Sequence, residues 1–365
     1  MNADLRLEVL KVAGIIAAIR LGASAREAIW EETRLGARMK LCVVLAAIGV
    51  ALLASLAGPV SAEDAQSYPS KPVRIFIPYG AGGVGDLTVR LLAQKLSESA
   101  GQQFVIENRP GAGGSLSAKG ALGAEPDGYS LALTGNGQAI SMTLFKGRSY
   151  DVLTDFAQVS ITATFEMLLA VKNESRFKNL QDVLDFAKKN PGKLTLGAIN
   201  PGSTQNLSAY LFKQTAGIEV AIIPFKTTPE VVTALLRGDV DMGFDFYAGF
   251  QGAISDRQIR ILASSGEHRS PLLNGVPTAV ESGLPDYVVT SWNGLSSRAG
   301  TPDPIVRKLN KLVVTALEDP VLQEKAQRLG IEARGSTPEA MRERMAHDIL
   351  RWRGVIEKAN LAVTE

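Results

Sequence analysis

The 365 residues carry 39 Lys and Arg against 37 Asp and Glu, a net charge of +2, with 45% hydrophobic and 21% charged residues. This is the profile of a globular chain long enough for two α/β domains, and it lacks the clustered basic charge that a nucleic-acid binder needs. One cysteine, Cys42, and two histidines, His268 and His347, exclude a cysteine-rich metal site by count and leave little for a nucleophile–base pair.

Residues 1–38 are mildly amphipathic and precede a better start at Met39, so they read as an extension upstream of the true initiator. Arg38-Met-Lys40 is followed by the apolar run LCVVLAAIGVALLASLAG and by Pro59-Val60-Ser61-Ala62. A positive start, a short apolar stretch and a small-residue exit predict a signal peptide over 39–62, cleaved after Ala62. Cys42 would leave with it, and the mature protein would be periplasmic and free of cysteine.

Strand and helix signals then alternate. Strands are predicted at Val73–Ile77, Phe104–Ile106 and Ser130–Thr134, and a helix from Asp86 carries Leu87, Leu91, Leu92 and Leu96. The series restarts near residue 165 with a strand at Met167–Val171. Next come helix Leu180–Lys189, strand Leu194–Leu196, helix Thr204–Thr215 and strand Val220–Ile223. Helix Pro229–Arg237 and strand Val240–Phe244 follow, then helices Pro304–Leu317 and Pro338–Ala359. Such alternation predicts an α/β fold with parallel sheets covered on both faces and ligands beyond the carboxyl ends of the strands.

Three Gly-rich turns lie at such ends. In Ile77-Pro-Tyr-Gly-Ala-Gly-Gly-Val-Gly-Asp86, glycines bare successive N–H groups and the next helix adds its positive end, which suits an anion. Asp86 fits the N-cap of that helix, or a direct ligand contact. Asn200-Pro-Gly-Ser-Thr204 offers hydroxyls and free first-turn N–H groups. Asn108-Arg-Pro-Gly-Ala-Gly-Gly-Ser115 is a shaped turn; it has neither the Gly-Lys-Ser/Thr of a P-loop nor the dinucleotide spacing, so no nucleotide, metal or other cofactor is expected. His347 sits in a charged helical stretch and reads as solvated; Trp292 reads as a packing residue, with ligand stacking as the alternative.

From Tyr68 onward the chain resembles the periplasmic receptors of tripartite tricarboxylate transporters, the Bug family. The resemblance rests on the ordered set IPYGAGGVGD, ENRPGAGG, PDGYSLALTG, YDVLTDFAQV, LLRGDVDMGFD, RSPLLNGVPTAVESGLPDY, SWNGLSSRAGTP and GSTPEAM. It implies a type II periplasmic-binding-protein fold: two α/β lobes, a ligand cleft and a crossing-strand hinge, with 63–166 and 291–365 as lobe 1 and 167–290 as lobe 2. It implies a ligand carboxylate held by Tyr79, Gly82, Gly83 and Asp86 on one side and Ser203 and Thr204 on the other, with Asn136 and Asp245 in the segments Thr134–Asn136 and Phe244–Tyr247 lining the variable part. The implied partners are a small carboxylate and the membrane permease subunits, and the receptor is expected to be a monomer and no enzyme. A receptor reporting to a signalling membrane protein, or a secreted enzyme on the same scaffold, are the alternatives. The chain departs from the family pattern at Asn206, where a His is common, and at Thr227, where a Gly is common. Arg90 and Lys226 are the cations nearest the loops, and their sparseness predicts one carboxylate held firmly and the rest of the ligand loosely.

Overall fold

The computed structural model describes residues 66–81, 84–111, 114–199, 201–361 and 363–364. The predicted extension and signal peptide, and Gly82 and Gly83, lie outside them. Strand β1 (Val73–Ile77) is buried at every position but Arg74. The reason is its place between two parallel neighbours, β2 (Phe104–Asn108) and β3 (Ser130–Gly135), with a helical layer over each face. Helices α1 (Val84–Ala100) and α2 (Ser115–Leu122) make the crossovers, and α3 (Asn136–Leu144) follows β3 without a loop. A two-residue β4 (Phe145–Lys146) leads to β5 (Phe156–Lys172), 17 residues long.

The second series runs α4 (Leu180–Lys189), β6 (Leu194–Ile199), α5 (Thr204–Ala216), β7 (Val220–Phe225) and α6 (Thr228–Arg237). It continues with β8 (Met242–Phe246), α7 (Tyr247–Ser255) and β9 (Ile259–Ser264). The chain returns through β10 (Thr290–Arg298) and ends in α8 (Asp303–Leu317), α9 (Pro320–Arg328), β11 (Ile331–Glu332), α10 (Pro338–Ala359) and β12 (Val363–Thr364).

Strand order is β2-β1-β3-β10-β5-β8-β6-β7, with β9 and β11 also bonded to β5. The expectation of parallel sheets holds within each series and fails where they join. β10 runs antiparallel to both β3 and β5, and β5 runs antiparallel to β8 and β9. The physical reason lies in β5. Its residues from Phe156 to Glu166 pair with β10, and Met167 to Lys172 pair with β8 and β9, so one strand serves two half-sheets.

The core follows that division. Leu92, Leu96, Leu131 and Leu309 fill the first half-sheet, and Val231, Leu235 and Phe250 fill one face of the second. A larger cluster runs from Phe76 and Ile140 through Met167 and Leu169 to Phe212, with Met341, Met345, Trp352 and Ile356 of α10 packed into it. α10 is therefore docked by an apolar stripe; each such large side chain contributes roughly 1.5–3 kcal/mol on burial. Trp292 is 1% exposed and its indole N–H donates to Asp348 Oδ2 at 2.7 Å, which makes it a packing residue. The side chain of His347 is 69% exposed, as a solvated face requires.

Candidate functional site

Helices α1, α3, α5 and α7 begin directly beyond the carboxyl ends of β1, β3, β6 and β8. The first turns of α3 and α7 have no side-chain cap, so their N–H groups stay available. Those of α5 are partly used, because Ser203 is its N-cap: its hydroxyl oxygen accepts from Asn206 N at 3.1 Å and its O–H donates to Ile199 O at 2.5 Å. The start of α5 thus supplies a cap from Ser203 and a buried hydroxyl from Thr204. Asn206 serves that cap through its backbone N–H.

The two half-sheets are bridged at this point. Asn136, 1% exposed, donates from Nδ2 to Thr204 Oγ1 at 2.8 Å and accepts from Trp352 Nε1 at 2.7 Å. Thr204 Oγ1 also lies 3.2 Å from Ser291 Oγ. The first turns of α3 and α5, the base of β10 and helix α10 therefore share one buried polar chain. Gly202 sits beside it with φ at 84°, and a Cβ there would come within 2.3 Å of Leu144 Cδ2 at the end of α3. Gly202→Ala combines a left-handed backbone with that collision. It should cost about 1–3 kcal/mol and pry the two loops apart, read as a lower melting temperature together with weaker carboxylate binding.

Asp86 departs from the expected cap. α1 starts at Val84, which puts Asp86 inside the first turn, where a carboxylate suits the helix dipole. Its carboxylate is nearly enclosed and accepts from Arg90 Nε at 2.8 Å and Asn108 Nδ2 at 2.9 Å. Asn108 Nδ2 reaches Tyr79 O as well, at 3.0 Å, so Asp86 and Asn108 pin the start of the Gly-rich turn to the end of β2. Arg90 is occupied by this network and Lys226 is exposed.

Tyr79 lies over Gly85, where a Cβ would be 2.5 Å from the ring, and its hydroxyl donates to Asn293 Oδ1 at 3.2 Å. The residue is half-buried, and loss of solvent around the phenol pushes its pKa up to about 12. It stays a neutral donor at any physiological pH. Asp245 is buried at the end of β8. It accepts from Gln205 Nε2 at 3.0 Å, Phe246 N at 2.7 Å and Thr228 Oγ1 at 2.5 Å. Burial raises its pKa, and these three hydrogen bonds oppose the rise.

A carboxyl whose folded pKa is raised contributes stability below its unfolded pKa and loses it as pH climbs through the folded value. Asp245→Asn keeps an acceptor for Gln205 and Phe246. Its melting temperature should exceed that of the parent by more at pH 8 than at pH 5, which differential scanning calorimetry at the two pH values would read.

Tyr79, Asn136, Ser203, Thr204 and Asp245 thus surround the same strand ends, and Asp86 lies in the first turn of α1. Thr134 and Phe244, from the segments expected to line the pocket, point into the core instead: Thr134 bonds Ser296 and Phe244 stacks edge-on with Phe212. The sequence reading missed Asn293, Gln205 and Thr228. Of these only Asn293 had a signal, its place in the SWNGLSSRAGTP motif.

Among the described residues no helix is long and apolar enough to cross a membrane. The profile of the "Tripartite tricarboxylate transporter family receptor" matches residues 88–361. A relative from Agrobacterium vitis, from the TAR-I ttuE-ttuC' intergenic region, is 32% identical over 86% of this chain and 91% of its own. BugT of Bordetella pertussis is 30% identical over 88% and 98%. Among solved structures, an R. palustris protein with adipate has a TM-score of 0.72 and 31% identity, covering 82% of this chain and all (100%) of that one. MatC from Rhodopseudomonas palustris with bound malate has a TM-score of 0.68 and 28% identity, covering 79% and 100%. With a family match across most of the folded chain and relatives aligned nearly end to end, this chain belongs to the tripartite tricarboxylate transporter receptor family.

Proposed function

We propose that the protein is a periplasmic receptor that binds a small carboxylate between residues 63–166 with 291–365 on one side and 167–290 on the other, and delivers it to the permease subunits of a tripartite tricarboxylate transporter. The observation that carries this reading is the Asn136–Thr204 hydrogen bond, which ties the first turns of two helices from opposite half-sheets. Around it stand neutral donors and helix N-termini in place of a charged clamp. Such groups hold an anion with little reorganisation, each helix end adding ~0.3–1 kcal/mol. Adipate and malate in two relatives support a dicarboxylate as the first class to try.

The role asked of the site is capture and release, with β5 and β10 as the strands on which the halves move. Neither histidine nor a cysteine stands among its residues, so we assign it no catalytic step. The receptor acts as a monomer, exported by the peptide 39–62. Thermal shift of the purified protein against a panel of aliphatic, hydroxylated and aromatic acids tests the proposal. At 100 times its dissociation constant a ligand adds about 2.7 kcal/mol to the folded state, a rise of several °C. A panel without any shift, in folded monodisperse protein, would remove the carboxylate reading.

A further inference from the structure

Beside the first turn of α7, a half-open cavity of about 430 Å3 lies where the two half-sheets meet. Its floor is one face of β5, Thr164, Glu166 and Leu168, at the point where that strand leaves β10 and joins β8. Tyr247 and Leu273 stand on one side of it, Gln327 of α9 and Glu332 of β11 on the other. None of Tyr79, Asp86, Asn136, Ser203, Thr204 or Asp245 lines it.

The lining includes two carboxylates and no Lys or Arg; Glu332 is ion-paired with Arg334 at 3.9 Å, which leaves Glu166 as the acidic group for a ligand. Glu166 Oε2 is buried, and the donor beside this carboxyl is the Ser264 hydroxyl, which has no other partner among the described residues. Glycine at 266 leaves room for the carboxyl in this position: a Cβ there would come within 2.4 Å of Glu166 Oε1. Burial raises the Glu166 pKa and Glu332 adds to the rise, while the Ser264 hydroxyl and His268 oppose it. A carboxylate has more acceptor sites than one hydroxyl fills, and a positively charged N–H donor would use them. A metal ion fits poorly, since no group of three or more His, Cys, Asp or Glu is placed to hold one among the described residues. The same walls also present Leu168, Leu273 and Ile331, and the volume is in the range of small-molecule sites.

We propose that this cavity is a second ligand site, which takes a small organic ammonium ion with its N–H groups on Glu166 and its apolar body against Leu273 and Tyr247. Titration calorimetry of the purified protein with n-butylammonium tests it, with n-butanol as the neutral isostere. Saturable heat is expected from the cation and none from the alcohol. Glu166→Gln should weaken binding at least about tenfold, the loss of one charge-assisted hydrogen bond. Gln327→Trp, at an exposed position over the mouth, should do the same without touching Glu166, and it serves as the test if the first variant does not fold. The absence of saturable heat with butylammonium overturns the proposal. So does an equal response to butanol, or wild-type affinity in either folded variant. The carboxylate panel on the same sample reads the other site independently.

Discussion

Asn136→Ala is expected to destabilise the protein by about 3 kcal/mol, seen as a fall in melting temperature of roughly 6–10 °C. The alanine leaves the Trp352 indole N–H without an acceptor in a site that water does not reach, and takes from Thr204 its contact with the first half-sheet. An orphaned buried polar group costs about 1–3 kcal/mol. Thr204 is hurt less, because Ser291 lies within reach of its hydroxyl.

Carboxylate affinity should fall about tenfold, since a hydrogen bond worth ~1.4 kcal/mol no longer favours the arrangement in which both loops face the ligand. A double-mutant cycle with Thr204→Val separates this from simple loss of packing. Coupling well above 0.5 kcal/mol assigns the energy to the bridge. Additive effects, or lost stability with unchanged affinity, would make Asn136 an ordinary core amide.

Trp292→Ala should cost still more, about 3–5 kcal/mol, the range for emptying a large buried aromatic site. The residue is enclosed between β10 and α10. Its partner Asp348 is 2% exposed and also accepts from Arg344 Nε at 2.8 Å, while Arg344 reaches both Thr290 O and Thr290 Oγ1. Removing the indole therefore leaves Asp348 with a charged partner, and the cost is mainly volume. Trp292→Phe keeps most of that volume and should lose about 1–2 kcal/mol, the hydrogen bond alone. Urea unfolding of the two variants gives both numbers. The phenylalanine variant should bind carboxylates like the parent; a changed affinity would restore the stacking role.

Several elements were legible because local chemistry marks their ends. α4 runs from Leu180 to Lys189 as read, because Asn179 caps Asp182 N at 2.9 Å and Pro191-Gly192 stops it. α10 runs from Pro338 to Ala359 as read, because Thr337 caps Ala340 N and Asn360 turns left-handed at φ 54°. The two short helices of the site, α3 and α7, were missed for the converse reason. Gly135 and Phe246 give them no side-chain cap, and their sequences, NGQAISMTL and YAGFQGAIS, are rich in residues that signal turns. Those missing caps are part of what leaves N–H groups free for an anion, so the feature that hid the helices belongs to the site.

The sequence by itself determined the alternation of strands and helices, the Gly-rich turns at strand ends and the family, since each rests on neighbours within one turn or one motif. It could not show that β5 serves two half-sheets, because the change of partner from β10 to β8 at Glu166–Met167 leaves the strand unbroken. Nor could it show what each polar residue of the turns would touch. Asn136 meets Thr204 across 68 positions and Trp352 across 216. Tyr79 meets Asn293 across 214, and Asp86 meets Arg90 and Asn108. A hydrogen bond is decided by a few tenths of an ångström and an angle. At those separations only the packing of β5, β10 and α10 sets such distances.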